Sequence, residues 1–453
     1  MYLIYSSLLT VGFLFLLPRF AIDALRSGKY ITGLDERLGR LPKLSATGGP
    51  LIWLHCVSVG ETEAARSLVR TLRQTLPEFR LVVSTTTVTG QQVARRIFAD
   101  EAALVFFFPI DWIWTVRRVL NAIHPSAILL METEIWPNLL RECGRRSIPI
   151  ALINGRISPT SFRRYSWIRG FMRRTLKDLS VAVMQSESDA QRITDLGIDE
   201  RRVTVAGNLK FDSASSSSAD DQRASEIRQR FGFDSARPVI VAASTHSPEE
   251  SIVLEAFKQI RKSNDAPRLI LVPRHPERFE EVATQVADSG FPWSRRSAPG
   301  SANDQTAAIV LLDSIGELRA VYQLADIAFI GGSLIPHGGQ NPLEPAAQAV
   351  CLITGTYTQN FAAITRKLLE NDALIQLPNL SLTEAPAALA RLISELLGDD
   401  ERRRTIGQRA HDVCVQNGGA TQRTVETIIN LLGLPASTAA PAPLPTAQLS
   451  AVK

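Results

Sequence analysis

Three short segments of this 453-residue chain carry side chains that could move a proton or steady a developing charge. In His55-Cys56-Val57-Ser58-Val59-Gly60-Glu61 an apolar run ends and a helical pattern begins, which places Glu61 at a strand's carboxyl end. A carboxylate there, within reach of a bound hydroxyl, can act as a general base, although acids in a first helical turn also simply favour the helix dipole. Met131-Glu132-Thr133-Glu134 repeats the arrangement after a second apolar run. One of these acids can cap a helix starting near Pro137, and Glu132, nearer the strand, is the better candidate for chemistry. Lys210, in Asn208-Leu209-Lys210-Phe211-Asp212, can meet a carboxylate or phosphate, or stand solvated beside Asp212.

The second half of the chain reads as an anion site. Residues 331–346 begin Gly331-Gly332-Ser333, continue through a second glycine pair and end in Asn341-Pro342-Leu343-Glu344-Pro345-Ala346. Glycine pairs let backbone amides approach a bulky anion, a helix opening at Pro342 adds partial positive charge, and Glu344 could hold a ribose diol. A nucleotide is expected here, the alternative being a capped surface loop, since glycine-rich turns are common. In Ser244-Thr245-His246-Ser247-Pro248-Glu249-Glu250, Ser247 and Glu250 fit a capping box, which leaves Ser244, Thr245 and His246 to face a ligand. Pro273-Arg274 follows another apolar run, and the Arg274 guanidinium is shaped to fork onto phosphate. Ser314-Ile315-Gly316-Glu317 opens one further helix with amides available.

Short apolar runs alternating with helical patterns must position these groups. Leu51–His55, Arg80–Ser84, Ala103–Phe107, Ala127–Met131, Pro149–Asn154 and Val181–Met184 form a first series. Pro238–Ala242, Arg268–Val272, Ala308–Leu312, Ile327–Ile330 and Val350–Thr354 form a second. Such spacing predicts βαβ units and parallel sheets, hence two α/β domains with loops aimed into a cleft. The expected boundaries are an anchor at 1–30, a first domain at 31–212 and a polar linker at 213–225. A second domain follows at 226–434, then a Pro/Ala-rich disordered tail at 435–453.

Composition narrows the function. A content of 45% hydrophobic and 21% charged residues describes a globular chain able to bury real cores. A net charge of +5 suits an anionic substrate or membrane surface and is too small to argue for nucleic acid. The four cysteines form no Cys-x-x-Cys pair and the six histidines stand singly, which argues against disulfides and a metal centre. No Gly-x-x-x-x-Gly-Lys-[Ser/Thr], Gly-x-Gly-x-x-Gly or Asp-x-Asp motif appears in the expected places, so no cofactor is expected.

Met1–Leu17 is almost wholly apolar and lacks the charged start and cleavage site of a signal peptide. With Arg19, Arg26 and Lys29 behind it, it predicts an uncleaved inner-membrane anchor with the body on the cytoplasmic side. An amphipathic helix lying in the interface is the alternative. The stretch containing Arg156, Arg163, Arg164, Arg169, Arg173, Arg174 and Lys177 interleaves Phe162, Tyr165, Trp167, Ile168, Phe171 and Met172. It reads as one basic amphipathic helix facing an anionic membrane or lipid phosphates, or packed by its aromatic side.

Taken together, Ser-Val-Gly-Glu, Met-Glu-Thr-Glu-Ile-Trp-Pro-Asn, Pro-Arg-His-Pro-Glu-Arg-Phe and Asn-Pro-Leu-Glu-Pro-Ala resemble the 3-deoxy-D-manno-octulosonic acid (Kdo) transferases of lipopolysaccharide synthesis. The resemblance runs from the anchor to about residue 432, with Gln340 where the family usually has histidine and Cys56 where serine or alanine is more usual. It implies a GT-B fold: two Rossmann-like domains facing across a cleft, with acceptor lipid on the first and CMP-Kdo on the second. It also implies an inverting, metal-independent transfer to the lipid A precursor at the cytoplasmic face of the inner membrane. By match to the family's motifs, Glu61 would be the base, and Glu132 and Lys210 would stabilise the transition state. Pro273, Arg274, Ile315, Gly316, Glu317, Asn341, Pro342, Leu343 and Glu344 would bind CMP. Alternatives are a membrane-associated GT-B enzyme using a different nucleotide sugar, or a non-catalytic nucleotide-binding membrane protein.

Overall fold

A computed structural model describes residues 1–27, 32–42, 44, 48–214, 218–234 and 237–434. The chain divides into two compact units, Met1–Leu209 with the segment from Gly419 onward, and Lys210–Gly418. The first holds β1 (Leu51–Cys56), β2 (Arg80–Thr85), β3 (Ala102–Phe107), β4 (Ala127–Met131), β5 (Ile150–Gly155), β6 (Val181–Met184) and β7 (Val203–Val205). They pair in parallel in the order β3-β2-β1-β4-β5-β6-β7. Helices on both faces bury β1, β4 and β5 completely, which is why these strands read as unbroken apolar runs. Chain direction across the sheet reverses between β1 and β4. In open parallel sheets, ligands collect beyond the carboxyl ends at such a reversal.

The second unit repeats the plan with β8 (Val239–Thr245), β9 (Arg268–Pro273), β10 (Trp293–Arg295), β11 (Ile309–Leu311), β12 (Ile327–Ile330), β13 (Cys351–Thr354) and β14 (Ile375–Gln376). Its order is β10-β11-β9-β8-β12-β13-β14, again all parallel, and the reversal falls between β8 and β12. The sequence reading missed β7, β10 and β14. Each has only two or three residues, too few to register as an apolar run.

Several boundaries differ from those expected. The segment 213–225 is not simply a linker, because a helix runs from Ser218 to Phe231 and buries Ala224, Ile227 and Phe231 in the second unit's core. The last helix, Ala420–Leu431, belongs to the first unit, where Val425, Ile428 and Ile429 pack under the sheet. Its Arg423 forks onto the Ala206 carbonyl at 2.9 and 2.6 Å. The expected tail at 435–453 and part of the anchor segment lie outside the described residues.

The first helix, Tyr2–Ser27, docks along one face of the first unit. Tyr2 is buried against Phe171, the Tyr5 hydroxyl donates to Asp111 (3.0 Å), and Phe13 packs on Trp112. These positions share one side of a helix, whereas Leu3, Ile4, Leu8, Val11, Leu14 and Phe15 on the rest are exposed. Among the described residues no helix is long and apolar enough to cross a membrane. The single basic helix expected between 156 and 177 is two, Pro159–Trp167 and Arg169–Leu176, broken where Ile168 leaves helical geometry. Met172 and Leu176 are buried, Phe162 and Tyr165 pack on the core, and Trp167 is 82% exposed.

Candidate active site

The two strands flanking the first unit's reversal each deliver one of the expected acids. β1 leads into the helix Val59–Thr75, and Glu61 is its third residue, 8% exposed. Its carboxylate turns back on the chain, accepting the Val57 N–H at 2.8 Å and the Ser58 hydroxyl at 3.2 Å. Burial pushes the Glu61 pKa up to about 7, the nearby charges of Glu132 and Glu134 push the same way, and the two hydrogen bonds only partly oppose them. Such a carboxylate changes protonation near neutral pH, the property a general base needs.

β4 ends in Glu132, which stands at φ 54°, left-handed backbone that a residue with a β-carbon rarely adopts. Its N–H donates to the Ile153 carbonyl at 3.0 Å, so pairing with the neighbouring strand end holds the unusual turn. Strain of this kind, of order 1–3 kcal/mol, concentrates at functional sites. Glu132 and Glu61 both raise the pKa of the fully buried Cys56 thiol after burial itself, which places the three groups together. Neither expected acid caps the helix at Pro137. Glu134 instead accepts the Trp136 indole N–H (2.8 Å) and lies 3.7 Å from His55 Nε2, while Asp111 accepts the Asn138 and Leu139 N–H groups, each at 2.9 Å.

The lysine of the trio opens the second unit. Lys210 sits in the short helix Leu209–Asp212, its Nζ 5.6 Å from the centre of the Phe361 ring. The residues just before it are fixed by Asn154, another left-handed residue (φ 50°) at a strand end, whose Oδ1 accepts the Leu209 N–H at 3.0 Å. Sequence reasoning passed over Asn154. Its signal was a polar residue before glycine at the end of a fully buried run.

In the second unit the strand-end loops of β8, β9 and β12 are neighbours, but their groups are employed differently from expectation. Glu249 is the organising residue. Its buried carboxylate accepts the N–H groups of Gly332 (2.6 Å), Ser333 (2.9 Å), Leu334 (2.9 Å) and His246 (3.0 Å), clasping the β12 loop to the β8 loop. The amides expected to cradle a phosphate are thus already satisfied by a protein carboxylate. Gly339 likewise donates to the Gly332 carbonyl and Gly331 to the Ala243 carbonyl. Gly331 answers to close packing, since a β-carbon there would lie 2.5 Å from the Ser244 oxygen. The capping box of Ser247 and Glu250 does not form: Pro248 occupies the N-cap and Glu250 pairs with Arg278 at 2.7 Å.

Of the expected donor contacts, Ser244 is strained at φ 53° and Ser333 is consumed structurally, accepting the Gly355 N–H. The Thr245 hydroxyl is buried with no hydrogen-bond partner among the described residues. His246 is buried, and its ring lies 3.0 Å from the Gln340 side-chain nitrogen. Burial drives its pKa down to about 4, aided by His337, His275, Arg274 and Arg278. Pro273 ends β9, and Arg274 beyond it is exposed, with no side-chain partner among the described residues. Ile315 is exposed and Gly316 has φ 89°. Burial alone would raise the Glu317 pKa, but the Arg296 fork (2.7 and 3.1 Å) and a Ser314 bond outweigh it and hold the carboxylate below its ordinary value. Asn341 Oδ1 accepts the Leu343 N–H (3.1 Å), Pro342 is the N-cap, Leu343 is buried and Glu344 pairs with Arg319 at 3.3 Å. The helix expected from Pro342 is a single turn, Leu343–Ala346, so its dipole is weak. The histidines also depart from expectation: single in sequence, three of the six converge here, His246, His275 and His337.

Two parallel seven-stranded α/β sheets, each with candidate groups at its switch point, define the class. The fold is similar to the UDP-GlcNAc 2-epimerase of Neisseria meningitidis (TM-score 0.56, 12% identity, 84% of this chain and 100% of that one). It is also similar to a glycosyltransferase from Rickettsia africae (TM-score 0.53, 14% identity, 85% and 99% covered). These likenesses show a GT-B-like fold alone. Residues 32–213 match the family model described as 3-Deoxy-D-manno-octulosonic-acid transferase (kdotransferase). The 3-deoxy-D-manno-octulosonic acid transferase of Haemophilus influenzae is 34% identical over 425 residues, 94% of this chain and 97% of that protein. The chain belongs to the Kdo transferase family of glycosyltransferases.

Proposed function

We propose that this enzyme moves Kdo from CMP-Kdo to a hydroxyl of the lipid A precursor by an inverting displacement with Glu61 as general base. The observation that carries the reading is the Glu61 carboxylate, buried beside Glu132 at a sheet reversal with a pKa of about 7. As the acceptor oxygen bonds to the sugar's anomeric carbon, its proton passes to Glu61. The bond from that carbon to the CMP phosphate breaks, and CMP leaves with the electron pair. Arg274 receives the phosphate, since its guanidinium is exposed and has no side-chain partner among the described residues. Pro273, Ile315–Glu317 and Asn341–Glu344 surround the nucleotide, and Glu132 and Lys210 offset charge moving through the transition state.

Nucleotide choice tests the donor. CMP should raise the thermal unfolding midpoint of the full chain, UDP should not, and Arg274→Ala should weaken the CMP effect by at least about tenfold in concentration. Protection by UDP and none by CMP would assign a different donor. The pH profile tests the base. With a pKa of about 7, Glu61 loses its basic form as pH falls, so the transfer rate should drop about tenfold per unit below that value. Glu132→Gln removes a charge that raises this pKa, so whatever activity remains should show its acid limb at lower pH. An unmoved limb would detach the profile from Glu61.

The membrane reading takes the interfacial form. Leu3, Ile4, Leu8, Val11, Leu14, Phe15 and Trp167 offer apolar side chains beside the basic helices 159–176, and the Tyr2–Phe171 contact joins the two features in one unit. Such a surface suits the cytoplasmic face of an anionic inner membrane. Changing Arg163, Arg164, Arg173 and Arg174 to Ser should raise the KM for a vesicle-borne acceptor by about fivefold or more and leave the donor KM alone. Equal acceptor KM values would remove these arginines from lipid handling.

A further inference from the structure

Strands β9, β8 and β12 lie side by side in the second unit's sheet, so the loops leaving their carboxyl ends are neighbours. Each supplies one histidine: His246 after β8, His275 after β9 and His337 in the glycine-rich loop after β12. One ring nitrogen from each lies within 4.8 Å of the others. The His246 and His337 rings are 4.0 Å apart at 64°, and those of His246 and His275 are 5.0 Å apart at 71°, an edge-on grouping around a common point.

The geometry points to a binding site for a divalent transition-metal cation of the zinc class, held by His246, His275 and His337. Imidazole nitrogen is a borderline ligand that suits Zn²⁺, Ni²⁺ and Cu²⁺, whereas Mg²⁺ and Ca²⁺ prefer oxygen. Three histidines leave a fourth position for water or another ligand. Metal-bound histidines are normally oriented by a second partner that accepts their free N–H, and His275 has a carboxylate nearby, with Glu277 3.7 Å from Nδ1. The Gln340 side-chain nitrogen lies 3.0 Å from His246 Nε2 and donates to it, so metal binding at His246 requires this amide to turn its oxygen to the ring. Local charge does not forbid a cation. Arg278 is paired with Glu250 and Glu281, Glu249 and Glu277 add negative charge, and Arg274 has no counter-charge among the described residues.

The proposed transfer needs no metal, and the metal site stands independently of the donor placement proposed above.

Zn²⁺ alone, titrated calorimetrically into the chelator-treated full chain, should bind at one equivalent, and Co²⁺ in its place should give the intense visible bands of a low-coordinate site. His337→Ala and His275→Ala should each weaken Zn²⁺ binding by at least about tenfold. His337 is exposed and His275 partly so, which makes both substitutions compatible with folding. Absence of saturable Zn²⁺ binding, or equal binding by both variants and the parent, would overturn the site.

Discussion

Glu61→Gln is expected to abolish sugar transfer, lowering the rate by at least about 10³-fold, while CMP affinity stays within a few-fold and the fold becomes more stable above neutral pH. The rate loss follows from removing the only group assigned to take the acceptor's proton, a contribution of about 10²–10⁴ for general bases. Donor affinity is spared because the nucleotide is assigned to loops of the other unit. The stability gain has a separate origin. Glu61 has a folded pKa of about 7 against an ordinary value of 4.5, so the folded state holds the extra proton between those values. Stability from that proton is complete below pH 4.5 and lost as pH rises through 7. A difference of 2.5 pH units is on the order of 3 kcal/mol. Glutamine keeps the site neutral at every pH, so the variant's unfolding midpoint should exceed the parent's at pH 8, and the gap should shrink toward pH 5. Near-parental turnover would remove Glu61 from the mechanism, and a lower midpoint at pH 8 would show that its carboxylate stabilises the fold.

The second large effect is expected at Glu249, a residue with no assigned chemistry. Glu249→Ala deletes the acceptor of four N–H groups, those of His246, Gly332, Ser333 and Leu334. A buried N–H left without a partner costs about 1–3 kcal/mol, so the loss should be roughly 4 kcal/mol or more even with some relaxation. Burial raises the Glu249 pKa, and the four amides oppose that rise because their N–H groups favour the charged carboxylate they bond. Glu249→Gln preserves shape, supplies one oxygen in place of two, and should fall between parent and alanine. Denaturant unfolding followed by a probe in the second unit measures both variants. A loss under about 1 kcal/mol for alanine would mean that the loops find other acceptors. Because the clasp joins the β8 and β12 loops, CMP protection should disappear from Glu249→Ala before unfolding begins.

The architecture was legible because doubly covered parallel strands must be continuous apolar runs, and eleven of the fourteen strands among the described residues announce themselves in that way. What escaped is what periodicity cannot carry. β7, β10 and β14 are too short to form a pattern, and the return of the helix 420–431 to the first unit is a long-range event with no local mark. Within the site, Glu61 and Glu132 were readable from their place just beyond strand ends, and the strand order then put those ends side by side. The glycine-rich loop misled in detail. Its composition states that backbone comes close to something acidic, but not whether the acid is a ligand or the protein's own Glu249. The histidines could not be grouped at all from sequence, because only the order β9-β8-β12 makes neighbours of residues so far apart in the chain.

The most direct measurement is mass spectrometry of tetraacylated lipid A precursor in anionic vesicles after incubation with CMP-Kdo and the full chain, parent beside Glu61→Gln. A lipid product carrying added Kdo is expected with the parent and unmodified lipid with the variant, although the variant still binds CMP. Kdo-modified lipid in equal amounts from both, or from neither while CMP is bound, would contradict this expectation.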